Sequence, residues 1–159
     1  MPAPHPTRTA PHRWLEDFQM GDRFVHAGGR TITDHDNTWL SLLTHNQNPI
    51  HIDHAASARS HHGRPLVESI VTLGICVGLS NPDLLGSSDR DVEYRQIRHL
   101  APVFSGDTLR ATSEVVAVDP PGRQATGRVT VRTVGRNQHD DPVIEFQRVL
   151  SIFPRPPSD

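Results

Sequence analysis

The run Leu66-Val67-Glu68-Ser69-Ile70-Val71-Thr72-Leu73-Gly74-Ile75-Cys76-Val77-Gly78-Leu79 is apolar or small at almost every position, and its one charge is Glu68. A stretch of this kind suits a helix buried on most sides. Gly63-Arg64-Pro65 resets the chain before it, and Pro82 is expected to end it. Beyond Pro82 the period changes. Thr108 to Val118, Gly127 to Asn137 and Val143 to Phe153 are rich in β-branched residues, with clear alternation in Arg128-Val129-Thr130-Val131-Arg132. Pro120-Pro121-Gly122 and Asp140-Asp141-Pro142 separate them as turns. Val92 to Ile97 and Arg23 to Thr31 are further strand candidates. One buried helix followed by a meander of long antiparallel strands predicts an α+β fold whose sheet curls around the helix. Such a sheet keeps an open edge, and pairing through it predicts a homodimer.

Upstream, Thr33 can cap a helix in which Asp34 and Asp36 favour the positive end and Trp39, Leu40, Leu42 and Leu43 supply a core face. Trp39 is therefore expected in the core, and the helix should stop near Thr44. His45 to His51 reads as a loop, after which Asp53 can cap a short helix through Ser60. Of the 159 residues 35% are apolar, and 16 basic against 18 acidic side chains leave a charge of −2. This is the balance of one ordinary domain, 14–154, between proline-rich tails at 1–13 and 155–159 that should be flexible. No basic stripe for a nucleic acid is present, although every basic residue is Arg. No run is long enough for a signal peptide or a membrane span, so the cytoplasm is the expected compartment. The single cysteine, Cys76, reads as core filler.

The chemistry is expected in Thr44-His45-Asn46-Gln47-Asn48-Pro49-Ile50-His51-Ile52-Asp53. Here the chain resembles the MaoC-like and R-specific enoyl-CoA hydratases, whose loop reads Asp-x-Asn-Pro-x-His and whose fold is the hotdog. Asn48, Pro49 and His51 stand in that register. Gly63 to Val67, Pro102 to Leu109 and Val129 to Thr133 followed by Asn137-Gln138 resemble the itaconyl-CoA or mesaconyl-CoA hydratase-like branch, so the similarity covers roughly Phe18 to Phe153. The resemblance implies an antiparallel sheet wrapped around a long central helix. It also implies addition or removal of water at the 3-position of an α,β-unsaturated acyl thioester, with CoA or pantetheine as the carrier and no other cofactor.

Hydration needs a base for the water proton, an acid for the α-carbon and donors for an enolate oxygen. His51 suits the base, because imidazole titrates near neutrality and Pro49 stiffens its loop. The enolate oxygen could be met by amides at the entry to the central helix, those of Gly63, Arg64, Leu66 and Val67, since Pro65 has no N–H. By resemblance the choice falls on Gly63, and Ser69 matches a serine near the family's pocket. Asn46 stands where the family commonly has its catalytic Asp and can hold water or the thioester without accepting a proton. Glu68 is the candidate acid in its place, at a position where related sequences tend to carry Asn and on the helix where hotdog thioesterases place their carboxylate. Its alternatives are a solvent-facing side chain or a partner for Arg64 at i−4. Arg64 could pair with a substrate carboxylate or with a phosphate of the carrier, or with Asp53 or Glu68. Arg95, Arg98 and Arg132 could reach phosphates or simply decorate exposed strands.

Three functions follow: the hydratase; an acyl thioesterase using Glu68, with amine addition fitting the same cavity; and a non-catalytic acyl-thioester binding subunit. No metal site is expected. Among 11 histidines, His51-Ile52-Asp53-His54 and His61-His62 have neither a cysteine pair nor a helical His-Glu-x-x-His motif with them.

Overall fold

In the computed structural model, which describes residues 12–122 and 125–157, the apolar run becomes helix α4, Ser69–Leu84. Its entry differs from expectation: Glu68 lies outside the helix as the N-cap, its carboxylate accepting the Ile70 N–H at 2.9 Å. Its exit differs too, since the helix runs through Pro82 to Leu84. The N–H that proline lacks falls in the last turn, and a bond from Leu85 N–H to the Asn81 carbonyl closes that turn.

Strands β1 (Arg23–Val25), β3 (Ser88–His99), β4 (Thr108–Asp119), β5 (Gly127–Arg136) and β6 (Pro142–Ile152) form one antiparallel sheet in the order β1-β4-β5-β6-β3. The expected strand from Arg23 to Thr31 is broken at Gly28 (φ +83°), and its second part, β2 (Arg30–Thr31), pairs with the start of β4. Helix α1 is Asp34–Leu43, with Thr33 and Asp36 forming a reciprocal cap. Part of the expected loop is helical: Pro49–Ile52 forms a turn, α2, because Asn48 caps it and proline suits its first position. Asp53 caps α3, His54–Ser57. The expected tails lie mainly outside the described residues. Of the described ones, His12 packs edge-on against Trp14, Arg13 lies over Phe24 and Arg155 pairs with Asp17. No described helix is long and apolar enough to cross a membrane.

Of the core face expected on helix α1, only Leu40 packs against the core. Trp39, Leu42 and Leu43 are 62%, 66% and 71% exposed, while Asn37 and Ser41 are buried. The polar side faces inward because Asn37 bonds to backbone groups of the neighbouring segments.

The sheet wraps α4 in the hotdog arrangement, and inward-facing residues form two apolar groups. One is built on Phe18, Phe24, Leu84, Val115, Val131 and Leu150, the other on Ile32, Val71, Cys76, Leu109, Ile144 and Phe146. Along each element a polar residue stands between them: Ser80 on α4, Ser113 on β4, Thr133 on β5 and Arg148 on β6. Buried His26 joins this belt, with Nδ1 2.7 Å from an Asp83 carboxylate oxygen and Nε2 2.8 Å from the Ser113 hydroxyl. A carboxylate accepts, so Nδ1 carries the proton and Ser113 donates to Nε2. Arg148 donates to Ser80 and Asn81.

Burial holds the His26 ring below its ordinary pKa, against the opposing pull of Asp83. A base whose folded pKa is depressed takes its proton more readily when unfolded, so its contribution is complete above about pH 6.5 and lost as the pH falls further. Urea titrations at pH 7.5 and 5.5 should show a drop in unfolding free energy for the wild type that is smaller in His26→Gln; equal drops would remove His26 as the source.

Candidate active site

The site is assembled where the loop after α1 meets the entry to α4. His45, at φ +57°, turns the chain, and the Asn48 side chain accepts the Ile50 N–H at 3.2 Å to start α2. That turn presents His51. Its Nδ1 is 2.8 Å from the Leu66 carbonyl, which can only accept, so Nδ1 is protonated, and in the neutral ring it is Nε2 that carries the lone pair. The Leu66 N–H in turn donates to the Ile50 carbonyl at 3.0 Å.

Asn37 ties these segments together. Its Nδ2 donates to the carbonyls of His51 (2.8 Å) and Leu66 (3.2 Å), and its Oδ1 accepts the Glu68 N–H at 2.7 Å. Asn46 is oriented by the Asn48 N–H, which donates to its Oδ1 at 3.1 Å. Its Nδ2 therefore faces Glu68, 3.5 Å from Oε1. Glu68 is 7% exposed, which excludes the solvent-facing alternative. Arg64 is not its partner: that guanidinium is exposed and lies over the Phe104 ring, 3.9 Å from its centre. Asn46 and Glu68 thus meet side chain to side chain, while His51 is linked to them through Asn37, which bonds both the His51 carbonyl and the Glu68 N–H, and Asn48 shapes the turn that carries His51.

The amides at the helix entry sort differently from expectation. Gly63 N–H donates to the Ser60 carbonyl, Leu66 N–H to Ile50 and Val67 N–H to Val103. Glu68 and Ile70 are also engaged. Ser69 N–H, at the first position of α4, bonds to no described residue. Gly63 is corrected on this ground: its N–H closes a turn and is not free to meet a ligand, as is also true of Leu66 and Val67. The Arg64 amide makes no such bond either but lies in the exposed loop before the helix.

A cavity of about 330 Å³ opens beside this turn of α4, with His62, Ser69, Thr72 and His99 among its lining. His99 is an exposed residue, and partial desolvation of its ring lowers its pKa from the ordinary imidazole value, with the charge of Glu68 opposing. Arg98 and Arg132 both pair with Glu145, and Arg95 pairs with Glu93. Burial also pushes the Cys76 thiol up to about 12, a value that suits core filler. Among the described residues no three His, Cys, Asp or Glu side chains gather as a metal site would require.

Neither Asn37 nor the Ser69 amide is legible in the sequence. A polar residue on an amphipathic helix reads as solvent-facing, and a free N–H is visible only once its neighbours' partners are known. Asn37→Ala removes three bonds to buried backbone groups. It should cost about 2–4 kcal/mol in denaturant unfolding, and an unchanged stability would deny the Asn37 bonds that role.

Residues 17–137 match the model of the MaoC like domain. Beta-methylmalyl-CoA dehydratase of Chloroflexus aurantiacus is 30% identical over 95% of this chain and 43% of its own length. Mesaconyl-CoA hydratase of Cereibacter sphaeroides is also 30% identical, over 93% and 43%. The crystal structure of a MaoC domain protein dehydratase from Chloroflexus aurantiacus superposes with a TM-score of 0.83 at 31% identity, covering 96% of this chain and 44% of that one. The chain spans less than half the length of each of these relatives. With its sheet, its central helix and the Asn48-Pro49-x-His51 turn in register, the chain belongs to the family of MaoC-like domains.

Proposed function

We propose that this chain adds water to an α,β-unsaturated acyl thioester, or removes it from the 3-hydroxy product, with CoA or a pantetheine arm as the carrier. The observation that carries the reading is the His51 tautomer. With Nδ1–H held by the Leu66 carbonyl, the Nε2 lone pair is available to take the proton of a water attacking C3. The second proton transfer, at C2, falls to Glu68, which gives the proton in its acid form during hydration and takes it as the carboxylate during dehydration, exchange with solvent returning the proton held by His51; its side chain lies beside the Asn46 amide. Asn46 donates toward the water or the thioester. Negative charge developing on the thioester oxygen would meet the Ser69 N–H at the positive end of α4, the role expected for Gly63. No cofactor enters this scheme.

The same buried carboxylate beside an unbonded helix amide also suits thioester hydrolysis, and two assays separate the readings. With crotonyl- and mesaconyl-CoA, hydration should be lost by about a hundredfold to ten-thousandfold in His51→Ala and in Glu68→Gln, followed as enoyl-thioester absorbance. Thiol release that survives His51→Ala but not Glu68→Gln would replace hydration by hydrolysis. Binding of acyl thioesters without either turnover would leave a binding subunit.

We infer further that two copies pair through β3. Its outer edge bonds to no described strand, it exposes Tyr94 and Ile97, and the relatives are more than twice as long as this chain. Sedimentation should find about twice the 17.7 kDa of one chain, shifting toward one chain in Ile97→Glu; a monomeric wild type would overturn the pairing.

A further inference from the structure

This inference rests on the hydratase reading and concerns the cavity beside the first turn of α4. Its polar wall consists of His62, Ser69, Thr72 and His99; the other lining residues are apolar, and none is acidic. Thr72 is 2% exposed, yet its hydroxyl makes no hydrogen bond to a described residue, not even the bond back to its own helix that a helical threonine commonly makes. The exposed residues Ser69 and His99 also present a hydroxyl and two ring nitrogens that have no hydrogen-bond partner among the described residues. A hydrocarbon chain placed here would leave these groups dry and unbonded, which is unfavourable. An anionic acceptor would satisfy them, receiving an imidazole N–H and a hydroxyl.

We propose that this cavity receives the far end of the acyl group and that His99, with Thr72, binds a second carboxylate there. His99 is thereby the residue that sets the preference for a carboxylated acyl thioester over a plain hydrocarbon one. The groups around the imidazole set its pH response. Glu68 at the α4 cap is the charge acting on it, and His62 shares the cavity. Ile144 of β6 is its neighbour across the sheet, and the adjacent Arg98 is tied to Glu145. Because partial desolvation favours the neutral ring, His99 gains its proton as the pH falls, and the preference should strengthen in that direction.

The test compares kcat/KM for mesaconyl-CoA and crotonyl-CoA between pH 6 and 8. The wild-type ratio should favour mesaconyl-CoA and rise toward pH 6. His99→Phe should lower it about tenfold or more, and His99→Gln, which keeps a neutral donor, should retain part of the preference without the pH slope. Thr72→Val should lower the ratio by a smaller factor. A wild type indifferent to the two acyl groups, or a ratio unchanged in His99→Phe, overturns the assignment while leaving hydration standing. If no thioester is turned over, the hydratase reading fails, and calorimetric binding of succinyl-CoA against butyryl-CoA still decides the subsite. A preference for succinyl-CoA that His99→Phe abolishes supports it, and equal binding overturns it.

Discussion

The geometry of the site depends on one buried amide. Asn37 satisfies two carbonyls and one N–H belonging to the His51 turn and the α4 entry. Those groups sit where two irregular segments meet, and without that side chain the Glu68 N–H would be buried and unbonded, the His51 carbonyl would lose this partner, and the Leu66 carbonyl would keep only His51 Nδ1–H. The Leu66 carbonyl shows the consequence. It is held by Asn37 and in turn receives His51 Nδ1–H, so the amide that stabilises the junction also helps select the tautomer that leaves Nε2 basic. Folding and chemistry share this junction, and the packing of α1 follows from it. A helix that must deliver Asn37 inward carries Trp39, Leu42 and Leu43 outward.

The second constraint is the placement of negative charge. The loop carries an amide at Asn46, and a carboxylate stands at the cap of α4, within reach of that amide. One Glu68 oxygen satisfies an N–H of the first helical turn while the other faces the loop. Helix capping therefore fixes the rotamer of Glu68, because the first turn needs an acceptor. It also leaves Ser69 N–H as the helix-entry amide open to a ligand. The cavity beside it is lined by the unbonded hydroxyl of Thr72 and by His99.

Away from the site, the interior is divided. Two apolar groups flank a belt in which His26, Ser113 and Thr133 form one hydrogen-bonded chain and Arg148 ties β6 to the end of α4. Alternation along each strand shows which residues face inward, but not that polar ones among them sit level with one another. That alignment is set by the antiparallel register and by the depth to which α4 lies in the sheet. Satisfied networks of this kind resist slippage, because shifting one element leaves several buried groups unpaired at once.

Local sequence by itself determined the elements whose causes lie within a few residues: the apolar helix, the alternating strands and the Thr33 cap, and also the Asn48-Pro49 turn, although its composition reads as plain loop. It also drew attention to Asn46 and Glu68, whose side chains lie together, and to His51 in the turn that follows. Only the tertiary structure decided which face of α1 looks inward, that Glu68 caps the helix instead of lying within it, that Ser69 rather than Gly63 has the open amide, and that His99 shares a cavity with Thr72. The physical reason is the same in each case. Hydrophobic period and capping preference act between neighbours in the chain, whereas the satisfaction of a buried polar group depends on partners brought to it from segments remote in sequence, as with Asn37 and Leu66 or His26 and Ser113.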